Sequence, residues 1–310
     1  MMDKSAILKS VREKVENNIK FPSQIDFTQK GDVLTIHVKG NGVRDNMQTD
    51  GSAFEGWAIC LKACFPDIKT VLLDWDEPQN EKEVQQKHYN RFVLRAMMFE
   101  RNYGWVSVAK SKIHVFDEFN NDYPNLVINY PKSESKEVCE NGKVNEAILE
   151  RQLVERMRSN VSITDHQLPV GLFSGEVLTE KTCTPRGASQ IDLWQLENDT
   201  LRIFELKDKN NNSVGIISEL MFYANVMNML IKGEIHYPST IKKAKNIRHI
   251  KELYDAIVFN KIERLEAIFL NYEFHPLIEA YKGQILDIIN LGMDSRNVMF
   301  RHELVTDYFK

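Results

Sequence analysis

The chain has 310 residues, 43% of them hydrophobic, and a formal net charge of -4. That length supplies core for about two domains, and a charge so near neutral excludes a whole-surface polycation, so any nucleic-acid contact has to come from a local basic patch. Cys60, Cys64, Cys139 and Cys183 are too few and too scattered for a disulfide framework, and no apolar run is long enough to span a bilayer. A cytoplasmic protein with no membrane partner is the expectation.

The first 21 residues read as a charged amphipathic helix without the apolar centre of a signal peptide. VLTIHVKG then reads as a strand, GSAFEGWAICLKACF as a helix opening after Asp50-Gly51, and TVLLDW as a strand. A long helix over about 80–103 follows, then a strand WVSVA and a further short strand at IHVF. Together these make a small α/β unit. Cys60 and Cys64 share a helix face, but zinc would need two more ligands, so they read as buried thiols. Asp74, Asp76 and Glu77, at a strand end before a helix, read as turn and helix-dipole groups rather than a second metal site.

The stretch 117–142 is rich in Asn, Pro, Ser and charge and reads as a linker. The sequence therefore divides into an N-terminal α/β domain of unknown role, 1–135, and a second domain, 136–310. The second opens with a helix, VNEAILERQLVERMRSN, and an irregular segment. A strand QIDLWQL, a turn Glu197-Asn198-Asp199 and a strand LRIFELK form a β-hairpin. An Asn-rich loop containing 210–212, a helix IISELMFYANVMNMLIKG, and further helices and strands complete it. No repeat of fixed period is present.

Alternation along LRIFELK puts Glu205 and Lys207 on one face, with Phe204 and Leu206 on the other. The hairpin brings Asp192 alongside, opposite the end of the strand that bears Glu205. Two carboxylates suit a hard cation, magnesium or manganese, and the Leu206 carbonyl offers a further oxygen. Such an ion can activate a water and neutralise charge on a phosphate, while Lys207 orients the water. The bland reading is a solvated strand face carrying a weak Glu205–Lys207 pair. Asp67-Ile68-Lys69 and Glu134-Ser135-Lys136 repeat the acid-x-Lys pattern but lack the hairpin.

Asp192 followed at this spacing by Glu205-Leu206-Lys207 resembles the motif of the PD-(D/E)XK nuclease superfamily, over roughly 145–230. The resemblance implies a restriction-endonuclease-like fold, a mixed central sheet flanked by helices, with Mg²⁺-dependent hydrolysis of DNA or, less often, RNA. It implies a glutamate from the first helix, for which Glu146 and Glu150 are the candidates. It also implies a substrate contact from the helix after the strand, where Glu219 and Tyr223 stand at the spacing of a family Gln-x-x-x-Tyr. Ile191 replaces the proline of the motif, and Glu219 replaces the glutamine. Tyr223 also fits simple core packing.

Lys242, Lys243, Lys245, Arg248 and Lys251 form a basic run that either tracks a phosphate backbone or decorates an exposed helix. No H-E-x-x-H, nucleophile elbow or phosphate-binding Gly-rich loop is present. The expected function is a metal-dependent DNA nuclease in bacterial restriction, repair or defence, with room for a homodimer or a partner subunit. The alternatives are a noncatalytic module that binds nucleic acid or protein through the same fold, and a nuclease for RNA.

Overall fold

A computed structural model describes residues 1–78, 82–133, 146–159, 161–185, 189–209, 213–293 and 297–310. In chain order the elements are α1 (Lys4–Val15), β1 (Ile25–Lys30), β2 (Val33–Val38), α2 (Phe54–Cys64), β3 (Thr70–Trp75), α3 (Glu83–Asn102), β4 (Val106–Val108), α4 (Ile113–Asp122), β5 (Leu126–Ile128) and α5 (Glu146–Met157). They continue as β6 (Ser162–Pro169), β7 (Leu172–Ser174), β8 (Gln190–Glu197), β9 (Thr200–Lys207), α6 (Gly215–Ile231), α7 (Ile250–Val258), β10 (Arg264–Asn271), α8 (Pro276–Ala280), α9 (Lys282–Asn290) and β11 (Val298–Leu304). Among the described residues no helix is long and apolar enough to cross a membrane.

These elements form two mixed α/β units. The first comprises Met1–Asp122, Asn212–Glu219 and Glu273–Ser295; the second comprises Tyr123–Asn211, Leu220–Tyr272 and Arg296–Lys310. The single boundary at residue 135 read from composition differs from this division, because the first unit takes back two later segments. Composition is blind to such returns, which individual contacts fasten. The Tyr103 hydroxyl donates to the Ile289 carbonyl at 3.0 Å, and Gly292 lies so close to the Tyr103 ring that a Cβ there would meet it at 1.9 Å. Asp50 Oδ1 accepts from Ser213 Oγ at 2.7 Å and from Val214 N at 2.9 Å. Asp50, expected to open α2, thus binds the backbone ahead of α6 instead; the α2 N-cap, Ala53, has no side-chain bond.

In the first unit the sheet order is β1-β2-β3-β4, antiparallel for β1 with β2 and parallel thereafter. Alternating burial along VLTIHV and TVLLDW follows from side chains pointing to opposite faces. IHVF, expected as a strand, is the start of α4. Val115 and Phe119, four apart, bury one helical stripe there, and helical spacing overrides the β-favouring composition of the run. The part of the expected linker at 117–133 accordingly contains the rest of α4 and β5, and 134–142, with Cys139, lies outside the described residues. Cys60, Cys64 and Cys183 are buried.

In the second unit the sheet order is β11-β10-β9-β8-β6, and β5 pairs with β7 separately. The expected hairpin is formed by β8 and β9, whose turn places Asn198 at a φ of 53°, a left-handed conformation that asparagine tolerates. The segment expected to be irregular contains β6, antiparallel to β8, and β7. SITDHQLP carries too few apolar residues to announce a strand, so its pairing comes from the neighbouring hairpin. Strands β9, β10 and β11 run parallel. Helix α5 lays Leu149, Leu153, Val154 and Met157 on Leu193, Phe204, Leu206, Ile268 and Leu270. Each such side chain contributes about 2 kcal/mol by leaving water. This fixes the sheet face on which α5 lies, opposite to the one bearing Glu205 and Lys207.

Candidate active site

The pairing of β8 with β9 ends at Leu193 and Phe204, so Asp192 and Glu205 are the next residues beyond that pair on the two strands. Asp192 Oδ2 accepts a hydrogen bond from Leu206 N at 2.7 Å, which ties the carboxylate to the strand that carries the other two polar groups. Leu206 is therefore engaged through its N–H as well as lying beside both acids. Glu205 and Lys207 stand two apart on β9, and the Lys207 ammonium donates to Glu205 Oε1. They are 1% and 5% exposed, so the solvated strand face is not what the chain builds. A charge that deeply buried persists only when paired and hydrogen-bonded.

Among the described residues no three or more His, Cys, Asp or Glu side chains converge as a ready-made metal site. The donors at hand are two carboxylates on adjacent strands, with the Leu206 peptide between them, and their hard oxygens suit magnesium or manganese better than zinc. Glu150, on α5, is buried and accepts from Gln167 Nε2 at 3.0 Å. Burial pushes its carboxyl above the usual range, a rise opposed by the Gln167 bond and by His166. Glu146 begins α5 and is half-buried.

Gln167 gave no signal in the sequence. Pairing of β6 with β8 runs through His166 and Leu193, resumes at Leu168 and Ile191, and omits the step between, where Gln167 faces Asp192. There Gln167 takes a φ of 50°, and its carbonyl accepts from Arg248 Nη1 at 2.8 Å. Arg248 and His249 have φ values of 51° and 52°. Three non-glycine residues in the left-handed region within one constellation is a costly arrangement of the kind that collects at functional sites. Asp165 Oδ1 accepts from the His166 backbone N–H at 2.8 Å, and the His166 ring lies on the same oxygen at 2.9 Å.

No protein-family model, curated protein or solved structure matches the chain.

Glu219 is buried in the first unit, where the Gln48 amide donates to it. Tyr223 is buried in the second, in keeping with core packing. Lys242, Lys243 and Lys245 are exposed. The basic run is not one helix: a 3-10 turn over Ser239–Lys243 precedes α7, and Lys251 Nζ closes the bend onto the carbonyls of Ile241 and Lys242 at 3.0 and 2.7 Å. Asp74 and Asp76 flank the two ring nitrogens of His37 at 3.0 and 3.1 Å, Asp76 also accepts from Gly40 N at 3.0 Å, and Glu77 pairs with Lys112 at 2.7 Å. Their role is to tie loops at the ends of β2 and β3. The expected helix-dipole part is absent, since α3 begins only at Glu83.

Proposed function

We propose that the second unit is a metal-dependent nuclease of the restriction-endonuclease-like class, acting on DNA. The observation that carries this reading is the burial of Glu205 and Lys207 as a pair on the strand whose Leu206 N–H holds the Asp192 carboxylate. A pair whose only role was ionic would lose little by being replaced with apolar residues of like volume. Asp192 and Glu205 would hold Mg²⁺ or Mn²⁺, with the Leu206 carbonyl as a further oxygen. The ion supplies an activated water and neutralises charge on the phosphate.

The chain's own residues do the rest. Asp192 stays fixed on the Leu206 N–H, so its second oxygen keeps one direction. Lys207 is held by Glu205 near the attacking water and places positive charge where the phosphate gains negative charge. Exposed Lys242, Lys243 and Lys245 offer the backbone contacts, a sequence-independent clamp. Glu150 and Glu146 stand on the helix that braces the opposite sheet face, with Glu150 linked through Gln167 to the strand position facing Asp192.

The test is digestion of linear, circular and single-stranded DNA, and of RNA, by wild type, Lys207→Ala and Glu205→Gln, in Mg²⁺, in Mn²⁺ and in EDTA. DNA cutting that needs metal and disappears in both folded variants is the expected result. Cutting that survives EDTA, or that a folded Lys207→Ala variant retains, overturns the reading. Cutting confined to RNA replaces the substrate and keeps the site.

A further inference from the structure

The parallel strands β9, β10 and β11 carry polar groups at their C-terminal ends that the hydrolytic reading leaves unused. Asn271 on β10 is the register partner of Lys207 on β9, so the two side chains stand on the same sheet face. Asn271 is 1% exposed. Its Oδ1 lies 3.0 Å from Nε2 of His302 on β11. Neighbouring strands are spaced by about 4.8 Å, so Lys207, Asn271 and His302 stand on one sheet face across three adjacent strands. In open sheets the carboxyl ends of parallel strands are where ligands are met.

We propose that Asn271 is a positioning residue for Lys207, and that His302 sets which end of its amide faces the lysine. The consequence for rate rests on the hydrolytic reading above; the geometry does not.

A lysine ammonium has three donors and no acceptor, and Glu205 receives one of them. An amide oxygen has two lone pairs and can serve His302 and Lys207 together, whereas the NH₂ end would meet the ammonium donor to donor. An Nε2–H on His302 that keeps the oxygen end in place therefore decides whether the neighbouring lysine is held or repelled. An apolar residue at 271 would fill the same volume at lower desolvation cost, so a buried amide here has to be justified by its bonds. The arrangement leaves Lys207 braced from two sides: by Glu205 along its own strand and by Asn271 across the sheet.

The experiment follows the Lys207 ammonium by nitrogen-15 NMR in the full-length protein, beside cleavage kinetics, for wild type, Asn271→Ala, His302→Ala and His302→Gln. The glutamine keeps an N–H donor near the place of Nε2–H. Asn271→Leu, close to the native volume, serves if alanine unfolds the chain. The Lys207 signal is expected to shift, and its exchange with water to quicken, in the Asn271 variants and in His302→Ala, with return toward wild type in His302→Gln. In parallel kcat falls on the order of 10- to 100-fold with KM unchanged, the usual cost of a displaced group, and recovers in His302→Gln. An unchanged Lys207 signal in a folded Asn271 variant overturns the proposal, and His302→Gln behaving like His302→Ala overturns the part given to His302. A wild type that cuts nothing while Lys207 still responds removes the hydrolytic reading and leaves the positioning role standing.

Discussion

Glu55–Arg95 in the first unit and Glu205–Lys207 in the second are both buried acid–base pairs, and they are built differently. In the first, Glu55 and Arg95 are 3% and 2% exposed. Arg95 reaches both carboxylate oxygens, its Nε bonding Oε1 at 2.9 Å, and its Nη2 also donates to the Ser52 carbonyl at 2.8 Å. Ser218 Oγ donates to Glu55 Oε2 at 2.8 Å, and the guanidinium lies 4.7 Å from the Phe54 ring centre. In the second, Glu205 meets Lys207, a point charge on a flexible stem, at the end of a strand and beside another carboxylate. A planar fork locked on two oxygens is a strut; a compact ammonium on a flexible stem can turn to serve a reacting group. Burial of a charge pair is thus no mark of a site, whereas the type of cation and the company it keeps are.

The sharpest way to break that comparison is to neutralise each acid with its own amide. Glu205→Gln is expected to lower DNA cleavage per folded molecule by about 1,000-fold, the scale of losing one electrostatic group at a transition state. Glu55→Gln is expected to leave cleavage per folded molecule unchanged. Equal losses in both variants would make the two pairs equivalent.

Stability is the test of the first pair. Glu55→Gln leaves Arg95 buried without its counter-charge and is expected to cost about 3–5 kcal/mol, read as a lower urea midpoint at constant slope. A change below about 1 kcal/mol would mean that Ser52 and Phe54 already satisfy the guanidinium and that the pair is no strut.

A third carboxyl sharpens the contrast through pH. Burial raises the Glu150 carboxyl above the usual glutamate range. The folded chain therefore binds a proton more tightly than the unfolded chain, so this group's stabilising contribution is complete below about pH 4.5 and disappears as pH rises through the elevated folded value. Glu150→Gln still accepts from Gln167 but cannot ionise, so urea unfolding from pH 4 to 8 should show the variant gaining on wild type as pH rises. A constant difference across that range would mean that Glu150 is not desolvated.

How much of this was legible in the sequence depends on what fixes each feature. The hairpin, α2, α3, α5 and α6 follow from local periodicity, and Asp192, Glu205 and Lys207 come together because strand alternation and a short turn leave them nowhere else to go. Gln167, Asn271 and His302 gave no signal, since each gains its place from a strand distant in sequence: Asn271 becomes the neighbour of Lys207 only once β10 is laid parallel to β9. The return of Glu273–Ser295 to the first unit was equally silent, because one tyrosine ring against one glycine carries no periodicity.

The smallest expected effect tests the opposite limit of the same comparison. Arg264 and Asp199 form a bond of 2.7 Å, well within hydrogen-bonding distance, yet their side chains are 62% and 37% exposed. Water competes for both partners, salt screens them, and the arginine gives up rotamer freedom to hold the contact. The hairpin turn does not depend on it, because Asp199 O also accepts from Glu263 N at 2.8 Å and from Arg264 N at 3.2 Å, backbone bonds that a side-chain substitution leaves in place. Arg264→Ala is therefore expected to leave the urea midpoint and the cleavage rate where they were, at low and at high salt. A loss of stability that salt abolishes would show that charge proximity stabilises this chain even in water, and burial would then not be what makes the Glu55–Arg95 pair a strut.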